Sequence, residues 1–336
     1  MEQYFYVYHF VKEKNRKQEI ESDILCRHYQ KRKNLKKQAF AIALFREKYP
    51  KEARRLKGID ACASEIGCRP EVFAQTFRYL SNHMVYLSDR TSNEWIEHDK
   101  WLNEEEKELM IKNQEMLQPI PQLRMTYHIG EDYLDIVDGL RALDEMIRFL
   151  KFNCGSRLGH SLVLGVDVKE YYELKKHRIL ISQQEYLDNL VWVYYRIKKF
   201  GLKDYEDLEI FIEQEYSKFF HKIYSNYICD TAFELMLKDA VEYFKNDEEM
   251  IVEGYCNSHF QFGISEYYAA WKLRGDAPEC YIHGFYEEKD DLVEWDSYSV
   301  DRDNLAIYKN RYSPECAYLY HLYHYNSHVK KEGEKI

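Results

Sequence analysis

Apolar and polar positions along the chain fall into two regimes. In the first half, short β-favouring runs alternate with longer stretches of helical period. Tyr4–Val11 (YFYVYHFV) is dense in aromatic and β-branched residues and bounded by a charged loop, which predicts a buried strand. Further strands are expected at 56–62, 123–128 and 156–160. Between them, Ala39, Ile42, Ala43 and Phe45 share one face of a helix over Lys36–Lys48, and Phe73, Phe77 and Leu80 share one after Pro70, a residue suited to a first helical turn. Residues 86–102 read as irregular and polar. Glu104–Leu117 reads as a helix opened by acidic residues and ended by Pro119 and Pro121. Leu140, Leu143, Met146, Ile147 and Leu150 recur at helical spacing. This alternation predicts an α/β unit with parallel strands.

After Gly165 the period is helical almost throughout, over Tyr171–Lys176, Glu185–Phe200, Tyr205–Tyr224, Asp230–Lys245 and Ser265–Leu273. The run Leu190–Tyr195 is apolar nearly all round, which suggests burial between elements. Pro278–Leu292 reads as a hairpin or loop, Ala317–Val329 as a last helix, and Lys330–Ile336 as a polar tail. Two regions follow: 1–165, built of βα units, and 166–336, a mainly helical insertion or extension packed on them.

Composition narrows the class. Of 336 residues, 45% are hydrophobic and 32% charged, so the chain is globular, and its net charge of −10 argues against bulk nucleic-acid binding. A pocket for a nucleotide needs only local donors and stays open. No 18-residue apolar run and no signal peptide are legible, so a cytoplasmic protein without membrane attachment is expected. The eight cysteines form no CxxC pair and imply neither a disulfide framework nor a zinc ribbon. Cys62 reads as a small core residue. The basic cluster Arg27, Lys31, Arg32, Lys33, Lys36 and Lys37 reads as a solvated helix face or, more sharply, as a phosphate-contacting patch.

Chemistry gathers where two predicted strands end. His128-Ile129-Gly130-Glu131 closes one, and Gly159-His160 closes the next. The carboxyl ends of parallel strands are where α/β folds place reactive groups. An imidazole and a carboxylate three residues apart can converge there, with Gly130 letting the backbone turn between them. A neutral His128 can ligate a divalent metal, and Glu131 can move a proton from metal-bound water to a leaving group. His160 can hold the hydroxide in line. The plainer alternative is that His128 closes a strand and Glu131 opens a helix, where the dipole favours a carboxylate.

His128-Ile129-Gly130-Glu131-Asp132, the following Gly139-Leu140-Arg141-Ala142-Leu143-Asp144-Glu145, and Arg157-Leu158-Gly159-His160 resemble the core of the adenosine deaminase family. Leu56-Lys57-Gly58-Ile59-Asp60-Ala61-Cys62-Ala63-Ser64-Glu65 resembles that family's preceding strand. In style the chain looks most like the deaminases of bacterial antiviral systems, the RADAR type and the deaminase fused to a CRISPR nucleotide sensor. The resemblance covers about residues 1–165. It implies an α/β fold, part of a TIM-type (β/α)8 metallohydrolase barrel, with a large helical insertion in the C-terminal half. It further implies Zn2+ as cofactor, held by His128, with Glu131 and His160 catalytic. Asp60, Ala63, Glu65 and Gly130 would lie against an adenine nucleoside or nucleotide substrate. A homo-oligomer or larger assembly is implied as well. The family has glycine where Ala63 stands, which bears on any backbone contact to the base.

The resemblance is incomplete. The family takes two zinc ligands from an HxH motif and one from a terminal aspartate. This chain has no HxH, and its one adjacent aspartate pair, Asp290-Asp291, reads as surface charge. A zinc site normally needs three or four protein ligands. The chain is therefore expected to be the central part of such a protein, or to draw ligands from its C-terminal helices, where His321, His324 and His328 stand at helical spacing among tyrosines. The expected activity is hydrolytic deamination of adenosine or an adenine nucleotide to the inosine form, in antiviral defence. The alternatives are a catalytically incomplete assembly subunit and another amidohydrolase.

Overall fold

The computed structural model describes residues 4–85, 103–105, 107, 120–224, 262–276, 278 and 314–336. Four parallel strands make one sheet in the order β1 (Tyr6–Val11), β2 (Leu56–Cys62), β3 (Arg124–Ile129) and β4 (Arg157–His160). The expected strands are therefore present, neighbours in sequence are neighbours in the sheet, and the fold is α/β. Between the strands run α1 (Lys17–Ile20), α2 (Tyr29–Lys48), α3 (Pro50–Ala53), α4 (Ala74–Asn82) and α5 (Ile136–Phe149). Asp135 opens α5, its carboxylate accepting the Val137 N–H.

The sheet has two unlike faces. Phe10, Ile59, Ala61, Met125, Tyr127 and Ile129 alternate along the strands and are buried under the helices with Leu35, Phe73, Phe77, Leu143 and Met146. Gln75, Thr76 and Arg78 of α4 are buried as well, so that helix is enclosed on nearly every side. The opposite face carries Val7, His9, Val11, Asp60, Cys62, Thr126 and His128. Of these only Asp60 is buried, and Val11 is 50% exposed. Parallel sheets are ordinarily covered on both faces; here the described helices cover one.

Two expectations are corrected. Tyr4–Val11 is not a buried strand: β1 is the outer strand, Tyr4, Phe5, Tyr6 and Tyr8 are exposed, and only Phe10 is fully in the core. β-propensity drew the strand correctly but carries no information on whether a neighbour lies outside it. The basic cluster is a solvated face only in part, with Lys33 and Lys37 exposed and Lys36 half-buried. Arg27, Lys31 and Arg32 are buried, because α2 begins at Tyr29 and its first turn lies under the C-terminal helices. Arg27 donates to the Tyr323 carbonyl at 2.7 Å, stacks over the Tyr323 ring and pairs with Glu334. Lys330 sits beneath, its ammonium donating to the carbonyls of Glu19, Ser22 and Leu25.

The helical half comprises α6 (Val168–Leu174), α7 (Gln183–Phe200), α8 (Glu206–Ile223), α9 (Ile264–Leu273), α10 (Pro314–Tyr325) and α11 (Ser327–Gly333). The expected last helix is two, because Asn326 leaves the helix and caps α11 by accepting the Val329 N–H. Leu187, Val191, Tyr216, Phe220, Tyr267, Leu319 and Leu322 form its own apolar core. It is joined to the strand half by buried ion pairs. Arg78 pairs with Asp276 at 3.2 Å and Arg141 with Asp188 at 3.6 Å, and the Trp271 indole donates to Glu145 at 2.9 Å. Among the described residues no helix is long and apolar enough to cross a membrane. The expectations for 86–102, Asp230–Lys245, Asp290-Asp291 and nearly all of Glu104–Leu117 and Pro278–Leu292 lie outside the described residues.

Candidate functional site

The site lies at the carboxyl end of the sheet, on its less covered face. Register sets the first part. His9 and Asp60 are cross-strand partners, as are His128 and Gly159. Asp60 is 1% exposed and stands between two imidazoles: His9 Nδ1 is 2.9 Å from its Oδ2, and His128 Nδ1 is 3.0 Å from either oxygen. The His128 ring packs closely over Gly159 of β4, which has no side chain to keep it away. A Cβ there would come within 2.9 Å of the ring.

Backbone twists supply the second part. Strands β2, β3 and β4 each end at a residue with positive φ: Ala63 at 76°, Gly130 at 75°, and His160 at 60° followed by Ser161 at 52°. Extended backbone would place residue 160 on the same face as its partner Ile129. The left-handed turn instead brings the His160 ring to 5.2 Å from His128, centroid to centroid, and its Nε2 to 3.3 Å from Glu131 Oε2. The His160 and Glu131 side chains are both nearly half exposed, so the pair faces open space beside the half-buried His128 and the buried Asp60.

Glu65 lies behind the site. Its Oε2 accepts the Gly130 N–H at 2.7 Å and its Oε1 the Glu131 N–H at 3.1 Å, so both oxygens are engaged in holding the turn. Ala63 is exposed at its strand end. Of the expected residues, Asp60, His128, Gly130, Glu131 and His160 are brought together, and Glu65 supports them from beneath.

Two residues had not been singled out from the sequence. His9 is one. Lys12 is the other: it is buried, donates to the His128 carbonyl, and lies 4.7 Å over the Tyr127 ring. Burial lowers the Lys12 ammonium from its ordinary value, against the opposing pull of Glu65 and Asp60. The signal was available, since both sit at the carboxyl end of the first strand, where the rule that marked His128 and His160 applies equally.

Zinc, the metal that the resemblance implies, would need three or four donors here. Asp60 on Nδ1 leaves His128 Nε2 free, the arrangement in which a carboxylate orients a metal-binding imidazole. Yet among the described residues no group of three or more His, Cys, Asp and Glu side chains converges as a metal site. The C-terminal histidines do not supply one. His324 is fully buried between the Tyr320 and Tyr323 rings, and His328 lies beyond the break at Asn326 and is exposed. The described residues do not by themselves fit zinc. Compared with models of known families and with curated proteins, the chain matches none.

Proposed function

We propose that this chain carries the proton-handling part of an adenosine-deaminase-type centre, acting on adenosine or an adenine nucleotide to yield the inosine form. The observation that supports this reading most is the pairing of Glu131 with His160 at 3.3 Å, beside His128, on the open face of a parallel sheet. In such a reaction water adds to the ring carbon bearing the amine, the adjacent ring nitrogen takes a proton, and ammonia leaves. Glu131, half exposed and movable, gives and takes the proton at that ring nitrogen. His160, held against Glu131, orients the attacking oxygen and stabilises charge on it. Asp60 and Lys12 hold His128, one through its ring and the other through its carbonyl. The sheet, open on one face, is the shape expected of part of a (β/α)8 barrel, whose interior that face would line.

The test is ammonia release from adenosine and from ATP, with Glu131→Gln as the paired variant. Loss of about 10²–10⁴-fold is expected; equal turnover by wild type and variant rejects the role of Glu131. Zinc content of the isolated chain, measured alongside, reports whether donors outside the described residues complete a site.

A second reading, an assembly subunit without catalysis, is favoured by the exposed aromatic strand β1. Tyr6 and Tyr8 line a groove of about 440 Å³ with Ile42, Phe45, Arg55 and Leu56. Exposed apolar strand edges are where chains pair with one another. Antiviral defence and a large assembly would accord with either reading.

A further inference from the structure

Asp60 is contacted from both neighbouring strands by the same kind of group. The His9 and His128 Nδ1 atoms lie 2.9 Å and 3.0 Å from its carboxylate. An ionised carboxylate only accepts hydrogen bonds, so each imidazole must present Nδ1 as N–H. The Asp60 side chain is 2% exposed and the His9 side chain 53% exposed, so His9 links the buried acid to the surface. We propose that His9 is a positioning residue. By donating from Nδ1 it fixes the plane of the Asp60 carboxylate, and Asp60 in turn fixes the His128 ring, with Nδ1 protonated and the Nε2 lone pair directed away from the acid. Without His9, the carboxylate can rotate about its terminal torsion, and the orientation it imposes on His128 is lost. Carboxylates that orient functional imidazoles in this way are themselves commonly held by further hydrogen bonds. The inference rests on the reading of His128 as a site residue, but its first test is independent of turnover.

That test is long-range 1H–15N NMR of the imidazoles in the full chain at about pH 8, above the ordinary histidine pKa. The His128 signal is assigned with His128→Gln. Wild type, His9→Phe and His9→Asn are compared; Asn can place an N–H near the position of Nδ1, and Phe keeps the ring without a donor. His128 is expected as the Nδ1–H tautomer in wild type and His9→Asn, and as a mixture in His9→Phe. An unchanged tautomer in His9→Phe overturns the proposal, because a merely structural His9 would shift stability and leave the tautomer alone. Ammonia release is expected to fall roughly 10- to 100-fold in His9→Phe and to recover in His9→Asn. If wild type releases no ammonia, the deaminase reading fails while the tautomer comparison still decides the role of His9.

Discussion

Glu65 reaches across from β2 to hold Gly130 at the end of β3, its Oε2 accepting the Gly130 N–H at 2.7 Å while its Oε1 takes the N–H of Glu131 at 3.1 Å. The carboxylate is nearly out of contact with solvent, so both oxygens exchange water for backbone amides. Glu65 therefore sets where the Glu131 backbone begins, and so where its side chain can reach.

Glu65→Gln keeps the size of the side chain but turns an NH2 group toward one of two backbone N–H donors. One buried amide loses its acceptor, which costs about 1–3 kcal/mol. Urea unfolding measures it. A midpoint unchanged from wild type would show that the turn does not depend on the carboxylate.

Ala63 and Gly130 share a left-handed backbone with opposite consequences. At Gly130, φ is 75° and an added Cβ would lie 2.9 Å from Val163 Cγ1, so Gly130→Ala costs about 1–2 kcal/mol from backbone alone and more from the contact. At Ala63 the strain is already present, with φ at 76°. Ala63→Gly relieves it and is expected to raise stability by up to about 1 kcal/mol, part of the gain being offset by the freer unfolded chain. Thermal melts of the two variants should move in opposite directions, and a destabilised Ala63→Gly would contradict the strain argument.

Glu145 neutralises two guanidinium groups, that of the buried Arg141 and that of the largely enclosed Arg69, and receives the Trp271 N–H. Removing one partner of a buried pair leaves uncompensated charge. Glu145→Ala is therefore expected to lose about 3–5 kcal/mol. The loss should appear as early release of the C-terminal helices in hydrogen exchange, because Trp271 lies on α9. Uniform loss of protection across the sheet and helices together would argue against this local role.

Acid should loosen the contact between α2 and the C-terminal helices. Burial lowers the His28 imidazole to about 3, helped by Arg32 and Arg27, and pushes His324 well below its ordinary value, with Arg32, Arg274, Arg27 and Lys330 adding to it. Both are neutral when folded, whereas the unfolded chain takes up their protons near pH 6.5. Stability is thus fully present above that pH and is lost as pH falls through it toward the folded values, by about 1.4 kcal/mol per pH unit for each ring. Among the described residues neither His324 nitrogen has a hydrogen-bond partner, so His324→Leu should be tolerated at neutral pH and should flatten the decline between pH 7 and 5. Identical pH slopes for variant and wild type would remove His324 from the account.

The strands, the order of the βα units and the cluster of His128, Glu131 and His160 were legible because each is written in local pattern. Period, turn residues and strand-end chemistry need no partner to be read. The sequence also marked Asp60 and Glu65, though not that Asp60 would be shared with His9 or that Glu65 would turn toward backbone. Both outcomes depend on register between strands that lie fifty or more residues apart in the chain. Position within a sheet was likewise invisible: YFYVYHFV has the residues of an inner strand, and only the sheet order makes β1 an outer one.

The sequence by itself determined the parallel α/β plan, because alternating periods leave little other way to bury the apolar positions. It also determined which strand ends bear imidazoles. Only the tertiary structure decided which charges are buried. Arg27 and Arg141 look in one dimension like any solvated base, and each became interior once helices more than forty residues away supplied carbonyls and carboxylates. It alone placed His160 beside Glu131, because that approach needs a left-handed turn at a non-glycine residue, held by contacts from β3 rather than by any preference of its own.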